Sequence, residues 1–226
     1  MINKNGDMAA RIRAFEDAGV QFVDASNVYI DKNVRIGAGS VVYPNVMLEG
    51  YTDIGRNTVI HFGCMLTDTR VGDDCYLRYV TSDKAVIGNG VTVGPYVNLR
   101  PNTVISDKCK IGDFVEVKNS NIGTGTKLPH LSYIGDSDVG ERVNFGCGAV
   151  CVNYDGYNKH RCTIGNDVFI GCNTNLVAPV RLENDTYTAA GSTITKDVYE
   201  GELAVARARQ TNIHGWVQKH RMRNSK

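Results

Sequence analysis

The chain has no uninterrupted apolar run of 18 residues, and its first residues lack the apolar core of a secretory leader. These two absences argue against a membrane-spanning helix and against export, so a cytoplasmic protein is expected. Charge of one sign is equally scarce: 25 basic residues stand against 24 acidic ones, for a net charge of +1. That balance draws the chain neither to nucleic acid nor to a membrane surface, and neither is expected as a partner. The cysteines number seven, and no two are spaced C-x-x-C. A disulfide framework is therefore not expected; the thiols read as reduced, several of them buried as small apolar residues. A zinc site built from Cys147, Cys151 and Cys162 is a minor alternative, and no metal is expected. At 226 residues the chain suits one domain with an ample core.

Over most of the length neither a helical period nor simple strand alternation appears. In their place aliphatic residues recur every six positions. One run is Ile30, Ile36, Val42, Leu48, Ile54, Ile60 and Leu66; a second is Ile87, Val93, Leu99, Ile105, Ile111 and Val117; a third is Ile164, Ile170, Leu176, Leu182, Thr188 and Ile194. A period of six implies a solenoid of very short strands. Three six-residue faces close a triangular coil of about eighteen residues, and coils stack at roughly 4.8 Å, so about nine coils make a prism roughly 45 Å long. The aliphatic residue points inward. Gly often follows it, as at Gly37, Gly55, Gly112 and Gly165, and is expected to supply the backbone freedom of the corner.

Interruptions of the lattice mark other duties. The steps Leu66 to Val71, Val117 to Ile122 and Ile134 to Val139 shorten to five residues and read as trimmed corners. Leu77 to Ile87 is longer, and Cys151 to Ile164 is the longest. Residues 152–161 cannot continue the wall and are expected to leave it as a polar loop, the first place to look for function. The chain divides into 1–27, a helix (Met8 to Asp17, with Ile12 and Phe15 on one face, ended near Gly19) and a linker remnant; 28–201, the solenoid; and 202–226, a basic tail. The tail is expected to cover the open end of the last coil, with its final residues disordered.

Between residues 98 and 216 a series of motifs adds chemistry: Asn98-Leu99-Arg100-Pro101, Val115-Glu116-Val117-Lys118, His130-Leu131-Ser132-Tyr133-Ile134-Gly135-Asp136, Val152-Asn153-Tyr154-Asp155-Gly156, Asn158-Lys159-His160, Leu176-Val177-Ala178-Pro179, Ala189-Ala190-Gly191-Ser192-Thr193, Ala206-Arg207-Ala208-Arg209-Gln210 and Gly215-Trp216. From about Val20 to Trp216 the chain resembles the C-terminal acetyltransferase half of the bacterial bifunctional N-acetylglucosamine-1-phosphate uridylyltransferase / glucosamine-1-phosphate N-acetyltransferase. The resemblance implies a left-handed parallel β-helix, a homotrimer, and acetyl transfer from acetyl-CoA to glucosamine-1-phosphate in UDP-N-acetylglucosamine biosynthesis. The nucleotidyltransferase domain of that enzyme has no counterpart among these residues, so uridylyl transfer is not expected.

The resemblance also assigns roles. His130 falls at the catalytic position, and a histidine of ordinary pKa suits the removal of a proton from a sugar amine. Glu116 resembles its orienting partner. Arg100, Lys118 and Lys159 match the phosphate-binding set, Arg offering a two-donor fork and Lys a point charge. Tyr133, Asn144 and Asn153 match positions that hold sugar hydroxyls or the acetyl group. Backbone N–H groups near Cys147 and Tyr154 are the expected donors to the tetrahedral intermediate. Ala190, Arg207 and Cys172 match contacts to coenzyme A. Two positions depart from the family, Cys147 standing for its usual Ala and Cys172 for its usual Ser; a thiol is the weaker donor. Two other readings remain: a hexapeptide acyltransferase for another amino sugar, and a non-catalytic trimeric scaffold for a separate nucleotidyltransferase.

Overall fold

A computed structural model describes residues 4–223. The six-residue lattice is a parallel β-helix, left-handed as the resemblance implies. Its strands are two to four residues long and form three parallel sheets of eleven, ten and nine strands, one per face of the prism. Every strand pairs with the strand one coil away: Val41–Val42 pairs with Val59–Ile60, which pairs with Tyr76–Leu77. The lattice residues therefore sit in register. On the second face Leu48, Leu66, Ser82, Leu99, Val117 and Ile134 lie one above another, all buried.

That column corrects one expectation. The step from Leu77 to Ile87 is not a break, because Ser82 takes the inward place with 2% exposure. Its hydroxyl is satisfied by Thr69 Oγ1 at 2.8 Å, so a polar residue occupies a lattice position without leaving a buried group unpaired. The helix is also longer than nine coils. Gln21–Phe22 and Leu203–Ala204 extend the first sheet outside the 28–201 span.

The glycines after the lattice residues act differently from expectation. Gly37, Gly55, Gly112 and Gly165 do not adopt positive φ. They are needed because the next coil leaves no room: a Cβ on Gly55 would stand 2.5 Å from the Gly72 carbonyl carbon and oxygen, and one on Gly37 would stand 2.7 Å from Gly55. Left-handed backbone is supplied mainly by other residues, seventeen of them among the described chain, including Asn57, Asp74, Lys108, Phe114 and Asp136. Asn and Asp tolerate that region; Lys and Phe occupy it at a cost.

Polar columns tie the coils together. The N–H groups of Arg56, Asp73 and Asn89 donate to Asp73, Asn89 and Asp107 one coil on, at 2.7 to 2.9 Å. Inside the same corner Ser40, Thr58 and Thr126 donate to glycine carbonyls of the following coil. Cys75 and Cys109 occupy equivalent places and donate to Gly88 and Gly123 at 3.0 and 3.1 Å. They are therefore members of a hydrogen-bonded column rather than merely small apolar residues. Cys64, Cys75, Cys109, Cys151 and Cys162 are buried, and all seven thiols are free.

At the N-terminal end α1 (Lys4–Asp17) starts before the expected Met8. Ile12 is buried and Phe15 packs on the core, and Gly19 at φ +90° turns the chain into the first coil. At the other end the last coil is closed by residues 198–206: Val198 bridges Leu182, and Thr193 N–H donates to the Ala206 carbonyl. Past that point the tail covers little. Its helix α2 (Trp216–Arg223) buries no residue, and the expectation of a disordered terminus falls on residues 224–226, outside those described.

Close stacking and left-handed backbone can be separated experimentally. Gly55→Ala forces a methyl into the next coil's backbone and should cost about 1–3 kcal/mol, lowering the melting temperature by several degrees. Lys108→Gly, at φ +58°, relieves a strained conformation and should change stability by less than about 1 kcal/mol. Equal melting temperatures for Gly55→Ala and the parent would contradict the close-packing role.

Candidate active site

The residues singled out by sequence collect around the second face, in two groups at its opposite edges. The first lies on the corner where the first sheet turns into the second. His130 ends the strand Lys127–His130, opposite Asp113 of the preceding coil. The coil reaches this position because Gly112 has no side chain: a Cβ there would lie 1.9 Å from the Pro129 carbonyl oxygen. Leu131 N–H donates to Asp113 at 2.8 Å, Gly148 N–H to Leu131 at 3.0 Å, and the Ser132 hydroxyl to the His130 carbonyl at 2.9 Å. The backbone is thus held on both sides, while the imidazole is exposed and makes no hydrogen bond among the described residues.

On the following coils Cys147, Cys172 and Ala190 take the place of His130 on this corner. Each precedes a left-handed residue, Gly148, Asn173 and Gly191, as His130 precedes Leu131. Asn173 N–H donates to Cys147 and Gly191 N–H to Cys172, both at 2.8 Å. The N–H groups of Cys147, Cys172 and Ala190 themselves find no acceptor among the described residues. At a coil spacing of roughly 4.8 Å they form a descending column of open donors that starts one coil from His130. Arg207 stands at its foot, its Cδ 3.9 Å from the place a Gly191 side chain would begin. Asn144, on the strand Asn144–Phe145 of the first sheet, leads into this corner.

The second group runs along the second face, from Glu116 and Tyr133 at the start of their strands to Lys118 and Gly135 at the far edge. Asn98, Glu116 and Tyr133 are register partners, as are Lys118 and Gly135. Arg100 donates to Glu116 Oε1 at 2.9 Å, and that bond raises the Arg100 pKa above its ordinary value. Within this chain Glu116 is engaged by Arg100, not by His130. Val152, expected to leave the wall, stays in it, paired with Val177; residues 153–161 leave it and fold into a small hairpin: Tyr154 bridges Lys159, Asp155 N–H donates to Asn158, and His160 N–H donates to Asn153. Asp155 fastens the tip. It accepts the N–H groups of Asn158 and Tyr157 and contacts His160 Nε2 at 2.8 Å, and its pKa falls to about 2, the Asn158 N–H being the main cause.

The hairpin folds back over its own second face. Asn153 is buried, with Nδ2 3.4 Å from the Tyr133 hydroxyl and bonded to Asp136. The Lys118 pKa is lowered, chiefly by the approach of the Lys159 side chain as a hydrogen-bonding neighbour, then by burial and by its like charge. Sequence reasoning passed over Asp136, Asn119, Asp155 and His160, although three of the four lie inside the motifs quoted. Asp136 sits at a corner, φ +49°, a conformation that Asp tolerates.

His130 and the lysine cluster stand at opposite edges of one sheet. Four residues lie between His130 and Gly135, the register partner of Lys118: the corner at Leu131 and Ser132, then Tyr133 and Ile134 of the strand Tyr133–Gly135. No hydrogen bond or ion pair joins His130 to Lys159 among the described residues. Beside His130 runs an exposed stripe of Tyr79, Tyr96, Phe114 and Leu131, 42% to 58% accessible and all at positive φ. Tyr79 stacks on Tyr96 and Tyr96 on Phe114, with centroids 5.1 and 5.3 Å apart. Among the described residues no three His, Cys, Asp or Glu side chains are grouped to hold a metal ion. No helix there is long and apolar enough to cross a membrane.

Residues 84–119 and 161–196 match the family model "Bacterial transferase hexapeptide (six repeats)". The chain is 52% identical over 201 residues to the bifunctional protein GlmU of Clostridium beijerinckii, covering 89% of this chain and 44% of that protein. It is also 52% identical over 200 residues to GlmU of Thermoanaerobacter pseudethanolicus, with 88% and 44% covered. The chain therefore spans less than half the length of these relatives. Among solved structures, the Arabidopsis UDP-N-acetylglucosamine acyltransferase superposes with a TM-score of 0.55 at 15% identity, over 92% of this chain and 72% of that one. The Francisella novicida UDP-N-acetylglucosamine acyltransferase gives 0.53 at 16% identity, over 80% and 66%. Those two likenesses show the fold. The chain carries hexapeptide-repeat transferase segments and is a homologue of the bifunctional GlmU proteins over the part of them that it spans.

Proposed function

We propose that the protein is a cytoplasmic, homotrimeric glucosamine-1-phosphate N-acetyltransferase that moves an acetyl group directly from acetyl-CoA to the sugar amine. The observation that carries this reading is the corner itself: an exposed imidazole at the head of a column of unpaired N–H donors with an arginine at its foot. In this reading coenzyme A lies along the column and Arg207 meets its phosphates. Cys172 stands in the column through its backbone, so the thiol that replaces the family's serine leaves the N–H donor intact.

His130 removes a proton from the sugar ammonium, and the amine attacks the thioester carbon. Negative charge develops on the thioester oxygen, where the Cys147 N–H is the nearest open donor and the Tyr154 N–H of a neighbouring loop is a second. Collapse of the intermediate breaks the carbon–sulfur bond and expels the coenzyme thiolate; the nitrogen gives up its second ammonium proton to solvent, and the thiolate takes up the proton held by the imidazolium. The products are the N-acetylated sugar phosphate and free coenzyme A. Arg100, Lys118 and Lys159 neutralise the sugar phosphate, while Tyr133, Asn144 and Asn153 hold the sugar and the acetyl group. As phosphate draws the Arg100 guanidinium, Glu116 is released to orient the imidazole.

A homotrimer completes this site. In this reading the loop of one copy serves His130 of the next, so that the base and the cations of one site come from different chains. The apolar stripe beside His130 supplies the contact. Its bulky residues are held in left-handed backbone at about 1–2 kcal/mol each, and burial against a neighbouring copy offsets that cost.

Mixing the protein with acetyl-CoA and glucosamine-1-phosphate should release free coenzyme thiol, and glucosamine without the phosphate should be a far poorer acceptor. No thiol release with either sugar would contradict the function. His130→Ala should lower kcat by on the order of 10²–10⁴-fold with little change in the KM for acetyl-CoA; an unchanged rate would make His130 structural. Light scattering should give three times the chain mass of 24.7 kDa, and a fully active monomer would refute the shared site.

A further inference from the structure

The cations at the far edge of the second face present an electrostatic difficulty. Asp136 N–H donates to the Lys118 carbonyl, and the hairpin that carries Lys159 is fastened to Asp136 through Asn153, so the two lysines converge; neighbouring ammonium groups repel and favour loss of a proton from one of them. A group that binds phosphate must keep both charges. The counter-charge beneath them is Asp136, 5% exposed and roofed by the loop.

We infer that Asp136 is a positioning residue for the sugar-phosphate cations: one carboxylate oxygen accepts Asn119 Nδ2, the other accepts Asn153 Nδ2, and its charge holds Lys118 and Lys159 side by side. The inference rests on the acetyltransferase reading above and adds to it a residue that makes no contact with substrate. Two oxygens meeting two amide donors require a carboxylate, since an amide in the same place offers one acceptor and turns a donor toward the other amide. Burial works to raise the Asp136 pKa, but the two amide bonds and the two ammonium groups more than offset it and leave it below its ordinary value. It is therefore charged wherever the lysines are.

The geometry joins three parts that sequence keeps apart. Asn119 lies on the corner one coil before, and its carbonyl accepts Arg161 Nη1, at the point where the loop returns to the wall. Asn153 opens the loop. Asp136 thus sits between the two ends of the hairpin that carries Lys159. The charged groups facing Lys118 are Lys159 from the loop, Asp136 from the corner and Arg100 from the coil before, the last already paired with Glu116. Those facing Asp136 are Lys118, Lys159 and Arg161, of which Arg161 is paired with Asp138. Among the described residues Asp136 is the carboxylate whose charge acts on Lys118, and its own side-chain bonds go to Asn119 and Asn153.

The test compares Asp136→Asn with Asn119→Ala. Asn tolerates the left-handed corner, so the first variant removes the charge with little backbone penalty. The KM for glucosamine-1-phosphate should rise at least tenfold in Asp136→Asn, while kcat and the KM for acetyl-CoA change less than threefold. The alkaline rise of that KM should begin at lower pH than in the parent, because Lys118 loses its proton more easily without the carboxylate. Asn119→Ala removes a hydrogen bond but no charge, and its alkaline rise should stay in place. Calorimetric titration with glucosamine-1-phosphate alone should show the same loss of affinity without turnover. If Asp136→Asn does not fold, Asp136→Ser reads the same alkaline limb. An unchanged KM and pH profile in a variant of an active parent overturns the inference alone; equal effects of both substitutions, confined to melting temperature and kcat, also overturn it. A parent that neither binds nor acetylates the sugar phosphate overturns the functional reading, and the inference with it.

Discussion

The stacking of one coil on the next at strand spacing, with glycines placed where no side chain would fit, is the constraint on which the rest of the molecule depends. Gly55 against Gly72 and Gly112 against Pro129 bring backbones so close that a methyl group is excluded. Given that spacing, each residue type recurs above its equivalent, and small interactions become columns: aliphatics inside, Asx side chains bridging N–H groups, hydroxyls and thiols bonded to glycine carbonyls. The same constraint builds the candidate site. Cys147, Cys172 and Ala190 line up under His130 because the corner repeats, and their N–H groups find no acceptor among the described residues.

Much of this was legible in the sequence, and for a physical reason. An inward lattice position in a narrow prism admits few side chains, so the run from Ile30 to Leu66 reveals face, corner and coil. Ser82 escaped notice because the rule recognises apolarity, whereas the wall requires only a small side chain whose polar atom is satisfied. The corners were less legible still. Left-handed positions are filled by Asn, Asp, Tyr, Lys, Phe and Leu alike, with no common chemistry to mark them. Glycine drew attention to itself, but its task at Gly37 and Gly55 is close approach.

For the site, the motifs named the groups and the fold distributed them. His130, Cys147 and Cys172 are spaced 17 and 25 residues apart in sequence, yet they fall on one edge once the coil length and the excursion at 153–161 are included. Arg100, Lys118 and Lys159 gather at the other edge. Asp136 was the residue least accessible to sequence reasoning, since its function appears only when the loop folds back and brings Asn153 and Lys159 over it. A lone carboxylate in a solenoid of many Asx corners carries no signal of its own. Its surroundings do.

The central claim is that the base and the cations which serve one substrate belong to different chains. Co-expression of His130→Ala with Lys159→Ala measures this directly. Each protein alone should be nearly inactive, but mixed trimers contain interfaces that pair an intact His130 with an intact Lys159, and a fraction of wild-type activity should return. If mixed trimers form and activity stays at the level of the separate mutants, each loop serves its own chain and the shared site is wrong.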